Sequence, residues 1–263
     1  MTSRPRLVAT DLDGTLLDDD GRLSERTLDV LHRVQDNGVR VVMVTARPLR
    51  WMEDFWAQVG GGAGIVSNGA VTFDIGSREV LASVGIPAEV GLPMAEAIRD
   101  AAPGTTFALE CLGGYRHEPA YVDLHPTPPD MRLGDLVDLW DEPAMKVLAQ
   151  HLTLDPDEFR ARVAAAVGEV ATTTWTIDRL MEISAAGVTK GEALAALCER
   201  LGVTADEVVA FGDMPNDLAM LTWAGTSYAV ANGHPSVLAA ADHVAPANVD
   251  DGVAVTLARL FGL

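Results

Sequence analysis

An apolar run, Leu7-Val8-Ala9-Thr10, leads straight into two carboxylates, Asp11 and Asp13, and this junction limits what the chain can fold into. A short continuous apolar run reads as a strand buried on both faces, the kind found in parallel sheets. Side chains alternate along a strand, so Asp11 and Asp13 start on one face. The turn expected at Gly14-Thr15 then lets both acids crowd a single point at the strand's carboxyl end. That arrangement suits metal-assisted attack on a phosphoryl group. A solvated Asp-Gly turn is the competing reading of the four residues alone. A calcium loop is excluded, because its glycine stands sixth and Gly14 stands fourth.

The next segments repeat a strand, helix, strand rhythm. Ser24 is placed to cap a helix whose Leu28, Leu31 and Val34 share one face, with Gly38 as its stop. A buried strand is predicted over 40–44, a helix over 49–59 and a strand over 64–67. The same rhythm returns late, with a helix over 190–201, a strand over 208–211, a helix from near Asn216, and strands over 226–230 and 243–245. This order predicts a parallel sheet with right-handed crossovers. Between the two halves the pattern changes, and nine of the fourteen prolines lie from Pro87 to Pro156. An inserted domain explains that shift. The expected division is a discontinuous core of residues 1–75 and 188–263 around an α+β insert of 76–187. Within the insert, strands are expected over 107–112, 145–149, 172–175 and 180–183, and helices over 89–101 and 155–167. The proline-rich stretch 118–143 has no clear period.

Charge narrows the partners. A net charge of -19 and a pI near 4.5 argue against nucleic acid or an anionic membrane, which clustered Lys and Arg would hold. An acidic protein that binds a phosphate anion has to build a local positive spot from a metal ion, a lysine and backbone amides. Cys111 and Cys198 lie far apart, without zinc spacing, and read as reduced thiols. Arg4 and Arg6 precede a run too short for a signal-peptide core, and no window offers about 18 uninterrupted apolar residues, so a soluble, cytoplasmic protein is expected. The glycines Gly60, Gly61, Gly62 and Gly64 precede a strand and read as a helix-ending loop rather than a dinucleotide fingerprint. No P-loop occurs.

Ligands of open parallel sheets bind beyond the carboxyl ends of the strands, and four segments fall there. They are Asp11-Leu12-Asp13-Gly14-Thr15-Leu16, Val44-Thr45-Ala46-Arg47-Pro48, Gly187-Val188-Thr189-Lys190-Gly191 and Gly212-Asp213-Met214-Pro215-Asn216-Asp217 with Met220. Taken alone, Thr45 reads as a helix cap, Lys190 as a surface lysine and Asp213 to Asp217 as a loop with capping acids. In this order they resemble the haloacid dehalogenase superfamily, and more narrowly its Cof-like sugar-phosphatase subfamily. Ser67-Asn68-Gly69-Ala70 matches the segment with which that subfamily leads into its cap. The second motif departs in having Ala46 where glycine is usual, a change that a backbone amide contact tolerates.

The resemblance implies a Rossmann-like α/β core with an inserted cap and a set of roles. Asp11 would be the nucleophile, forming an aspartyl-phosphate. Asp13 would be the acid that protonates the leaving alkoxide and then the base that activates water. A cation has to lie between carboxylate and phosphate, and a small hard ion held by few carboxylates is Mg²⁺, with the Asp11 and Asp213 carboxylates and the Asp13 carbonyl as ligands. Asp217 would stand at or behind the metal, orienting water or Lys190. Lys190, Thr45, Asn216 and the amides of Leu12 and Ala46 would bind phosphoryl oxygens. The cap would contact the leaving group and set specificity. Arg116, His117, His125 and Arg132 are polar residues there that read as exposed surface, and Glu182 is undecided. The expected activity is Mg²⁺-dependent hydrolysis of a small phosphorylated metabolite, a sugar phosphate, with no obligate protein partner. A phosphomutase of the same superfamily and a non-catalytic phosphometabolite-binding regulator are the alternatives.

Overall fold

The computed structural model describes residues 5–59, 61–175 and 177–263; Arg4 and Gly60 lie outside them. The chain divides into two compact units, Met1–Ala82 with Thr189–Leu263, and Ser83–Val188. In chain order the first unit begins with β1 (Leu7–Thr10), α1 (Glu25–Asp36), β2 (Arg40–Val44), α2 (Glu53–Val59), β3 (Ala63–Val66), β4 (Val71–Asp74) and β5 (Glu79–Ser83). The second unit holds α3 (Ala88–Ala101), β6 (Thr106–Cys111), β7 (Gly114–His117), β8 (Arg132–Leu133), α4 (Leu136–Leu139), β9 (Ala144–Gln150), α5 (Pro156–Val167), β10 (Ala171–Thr174) and β11 (Leu180–Ala185). The first unit then resumes with α6 (Lys190–Leu201), β12 (Val208–Gly212), α7 (Leu218–Trp223), β13 (Thr226–Val230), α8 (Pro235–Ala240), β14 (His243–Ala245) and α9 (Gly252–Phe261).

In the first unit eight strands form one sheet, ordered β14-β13-β12-β1-β2-β3-β4-β5. β1 lies parallel to β12 on one side and to β2 on the other, with Thr10 opposite Phe211 and Met43. All four β1 residues are buried, which is why this strand reads as an unbroken apolar run. Leu7 and Ala9 pack with Val42, Val44, Ile65 and Ala210, and with Leu194 and Leu197 of α6. Only β3 and β4 pair antiparallel among the strands whose register is given. The expected Rossmann-like α/β core is therefore present. Because the chain leaves β1 for β2 on one side and comes back to β12 on the other, the carboxyl end of β1 is a topological switch point.

Local chemistry sets the helix that follows β1. Ser24 Oγ accepts the Thr27 amide at 3.0 Å, a cap that contributes about 1 kcal/mol. Val30, Leu31 and Val34 are buried, while Leu28 lies at the edge of that face. The single helix expected over 49–59 is instead a 3₁₀ turn, Leu49–Trp51, followed by α2. The helix expected from Asn216 likewise begins with a 3₁₀ turn, Pro215–Asp217, before α7.

The second unit is α+β. Its six-stranded sheet, ordered β10-β11-β9-β6-β7-β8, is antiparallel except where β7 meets β8. Met94 and Ile98 of α3 and Phe159 and Val163 of α5 join Phe107, Leu109, Val147 and Ile183 in one core. The alternate positions, Glu110, Lys146 and Glu182, are buried polar residues on the other face of the same strands. Glu182 accepts Lys146 Nζ at 2.8 Å. Two expectations are corrected here. Arg116 and His117 are not surface residues but are 4% and 7% exposed. Arg116 pairs with Asp141 and Glu142 and donates to the Leu139 carbonyl at 2.7 Å, while His117 Nε2 stands 3.2 Å from Asp123. Both lie in β7, a four-residue strand too short to show a period. His125 and Arg132 are exposed, Arg132 pairing with Asp141 at 2.6 Å.

Candidate active site

Asp11 stands one residue beyond β1, and its amide still donates to the Phe211 carbonyl at 3.0 Å, so the strand ladder fixes its backbone. The chain then turns sharply, with the amides of Thr15, Leu16 and Leu17 converging on the Leu12 carbonyl. This turn breaks the strand's alternation, and Asp11 and Asp13 part company. Asp11 is buried and joins Asp213 and Asp217, with one carboxylate oxygen of each within 4.8 Å of the others. The Asp13 carboxylate is absent from that group, a correction to the expectation that both acids meet at one point. It turns instead to Arg47, whose Nε and Nη2 bond its two oxygens at 2.8 and 2.6 Å.

The acidic partners of Asp11 come from the segment between β12 and α7, Asp213 just after the strand and Asp217 at the end of the 3₁₀ turn. Asp217 is fully buried, and its Oδ2 accepts the amides of Asp213 and Met214, both at 3.0 Å. Its Oδ1 accepts Lys190 Nζ at 2.6 Å. Thr15 Oγ1 donates to Asp213 Oδ1 at 2.8 Å. Gly14 makes this approach possible: it has φ +76°, and a Cβ there would strike the Asp213 carboxylate. Lys190 opens α6, where Thr189 caps the helix by accepting the Glu192 amide at 3.1 Å. Its ammonium, buried with 1% exposure, also stands 2.8 Å from Asp11.

The electrostatics of this cluster are unbalanced. Three carboxylates face one ammonium, a surplus of two negative charges. Burial raises the Asp11 carboxyl well above its usual range, and Asp217 raises it further against the pull of Lys190. Asp213 is pushed up to about 6, first by burial and then by Asp217, with the Thr15 bond opposing. Burial alone would lower Lys190, but Asp11 and Asp217 outweigh it and raise the ammonium above its ordinary value. A divalent cation fits what the acids leave over. Asp217 has both oxygens engaged and is suited to hold Lys190 and its own loop, so Asp11 and Asp213 carry the oxygens that could face an ion.

Beyond β2, Thr45 is fully buried and its Oγ1 accepts the Arg47 amide at 3.0 Å, which leaves its own proton for a ligand. Ala46 follows it in the same loop. Asn216 Nδ2 donates to Asn68 Oδ1 at 3.1 Å, and its Oδ1 is buried without a hydrogen-bond partner among the described residues. Asn68 and Ser67 both hold left-handed backbone, φ 58° and 52°, in the turn after β3. Such strain persists where surrounding structure over-determines it and clusters at functional sites. Two residues of this region escaped the sequence reading as partners, Arg47 and Asn68. Parallel pairing of β1 with β2, Thr10 opposite Met43, puts the two loops that carry Asp13 and Arg47 side by side, but no pattern in the sequence marked the contact.

This chain belongs to the haloacid dehalogenase-like hydrolase family, which it matches over residues 8–257, in agreement with its Cof-like motifs. It is 29% identical over 273 residues to the 5-amino-6-(5-phospho-D-ribitylamino)uracil phosphatase YitU of Bacillus subtilis, covering all of both chains. It is 31% identical to the HMP-PP phosphatase of Cronobacter sakazakii, covering 91% of this chain and 89% of that one. Among solved structures, SMU.1108c of Streptococcus mutans superposes with a TM-score of 0.87 at 26% identity, covering 98% of this chain and all of the other.

Proposed function

We propose that this hydrolase is a Mg²⁺-dependent phosphatase of small phosphorylated metabolites that works through an aspartyl-phosphate on Asp11. The observation that carries this reading is the buried cluster of Asp11, Asp213 and Asp217 bridged by Lys190 at the switch point of the sheet. The ion would be held by Asp11, Asp213 and the Asp13 carbonyl, and its charge would offset the repulsion between carboxylate and phosphate. The remaining work falls to the chain. Lys190, the Thr45 hydroxyl, the second amide hydrogen of Asn216 and the amides of Leu12 and Ala46 hold the phosphoryl oxygens. An Asp11 oxygen attacks phosphorus while the bond to the leaving oxygen breaks and Asp13 gives that oxygen its proton. Water then attacks the same phosphorus, Asp13 takes back a proton, and the phosphorus–oxygen bond to the Asp11 carboxylate breaks to release inorganic phosphate. Asp217 keeps Lys190 and the Asp213 loop in place. We assign the inserted unit the role of the family's cap.

The relatives' names support a small phosphorylated metabolite as substrate. One acts on a phosphoribityl compound, another on HMP-PP, and two archaeal relatives, 31% and 27% identical, are phosphoglycolate phosphatases. We infer a sugar or polyol phosphate from the phosphoribityl relative, with other small phosphate esters as the wider class that the remaining names support. The test is inorganic phosphate release from a panel of sugar, polyol and small-acid phosphates, with and without Mg²⁺ and with Asp11→Asn as the blank. Release that needs both Mg²⁺ and Asp11 is expected. Release unaffected by chelation removes the metal role, and silence over the whole panel removes the phosphatase reading.

A further inference from the structure

We propose that Arg47 is a positioning residue: its guanidinium fixes the Asp13 carboxylate in the orientation from which the leaving group is protonated, and so sets how well poor leaving groups are used. The proposal rests on the phosphatase reading above and on Asp13 as its acid.

Asp13 needs such a partner. It lies in a turn beyond the end of β1 with its side chain 56% exposed, and among the described residues Arg47 is the only group that bonds its carboxylate. An exposed aspartate held by nothing would sample several rotamers. The fork from Nε and Nη2 selects one, and a planar guanidinium does this where an ammonium cannot. Arg47 is itself held at three points. Its amide donates to Thr45 Oγ1 at 3.0 Å, its carbonyl accepts the Ser67 amide at 2.9 Å, and Pro48 confines its backbone to the extended region. The side chain is only 23% exposed, so the anchor is more fixed than the group it anchors.

The pairing does not occupy Asp13 fully. Each carboxylate oxygen has two acceptor positions, and Arg47 takes one on each. A position remains on either oxygen for the proton that passes to the leaving oxygen and returns from water. Orientation is what the pair supplies, and a misplacement of about 1 Å in such a group costs on the order of 100-fold in rate.

Single-turnover release of the leaving group isolates the first chemical step. Arg47→Gln and Arg47→Lys are compared with unaltered protein on two probes, p-nitrophenyl phosphate, whose leaving group departs without a proton, and the best alkyl phosphate of the panel. Both variants are expected to slow alkyl release roughly 10- to 100-fold and leave p-nitrophenol release within about twofold. Arg47→Gln is also expected to add nothing to the loss caused by Asp13→Asn. Equal loss on both probes would make Arg47 a phosphoryl-binding group, and no loss on either would make the ion pair incidental; both outcomes overturn the proposal. If Arg47→Gln unfolds early in a thermal scan, Arg47→Lys decides. Failure of the unaltered protein on both probes would remove the phosphatase reading, a different result from a failure of Arg47 alone.

Discussion

The chain has only two lysines, Lys146 and Lys190, one in each unit, and it buries both. Their settings differ. Lys146 stands within β9, opposite Glu110 on β6, with its ammonium 2.8 Å from Glu182 on β11, and β9 lies between those two strands in the sheet. Lys190 stands at the first position of α6, facing acids that sit beyond the ends of β1 and β12. Lys146 lies beside two buried carboxylates, Glu110 and Glu182, that are carried within the strands of one sheet. The Lys190 cluster at strand ends is held by turns, caps and a glycine, and sets three carboxylates against its one ammonium. The second arrangement is the one left able to take up a metal ion and a phosphate.

The largest effect expected is at the cluster's centre. Asp11→Asn should cut phosphate release by roughly 10³-fold or more while leaving far-UV circular dichroism unchanged. A matched pair of substitutions then tests the contrast directly. Lys190→Met and Lys146→Met each strand buried carboxylates and should each cost about 3–5 kcal/mol in urea unfolding. Only the first should also cost activity, on the order of 100-fold with p-nitrophenyl phosphate measured on folded protein, with the second within about threefold. Equal activity losses would erase the distinction between the two lysines.

A smaller effect concerns pH. In chelator the Asp213 carboxyl sits at about 6, above the ordinary carboxylate range, chiefly because it is buried. Between the unfolded value near pH 4 and the folded one, the native state holds a proton that the unfolded chain has lost. The stability Asp213 contributes is therefore full below about pH 4 and is lost as pH rises through 6, an amount of roughly 2–3 kcal/mol. The unfolding free energy of unaltered protein minus that of Asp213→Asn, measured in chelator from pH 4 to 7, should fall by about that amount. A signed difference that rises over that range would contradict the assignment. The smallest effects lie at the helix caps of the two units. Ser24→Ala and Asp155→Ala should each cost about 1 kcal/mol, Ser24 the more because it also donates to Asp251 at 2.6 Å.

The order of strands and helices was legible because β1, β2 and β12 are buried on both faces and so stand out as apolar runs between amphipathic helices. Thr226–Val230 and His243–Ala245 were read with the bounds they have, and β9 and α5 to within a residue. What escaped was short or dependent on distant neighbours. β8 and α4, with two and four residues, are too brief to show a period. The burial of Arg116 depends on Asp141 and Glu142, some 25 residues away. In the candidate site, the acids and Lys190 were legible as residue types beyond strand ends. The parting of Asp11 from Asp13 was not, because period-two reasoning stops where the strand does, and Thr10 is its last residue.

The central claim is that Asp11 carries the phosphoryl group. Radiolabelled acetyl phosphate, whose leaving group needs no proton, is mixed with Asp13→Asn protein, which lacks the base for the second step. Acid quench and peptide mapping should find label on the peptide containing Asp11, released by hydroxylamine and absent when Asp11 is also asparagine. Label on another residue, or none while phosphate is still released, would contradict the account.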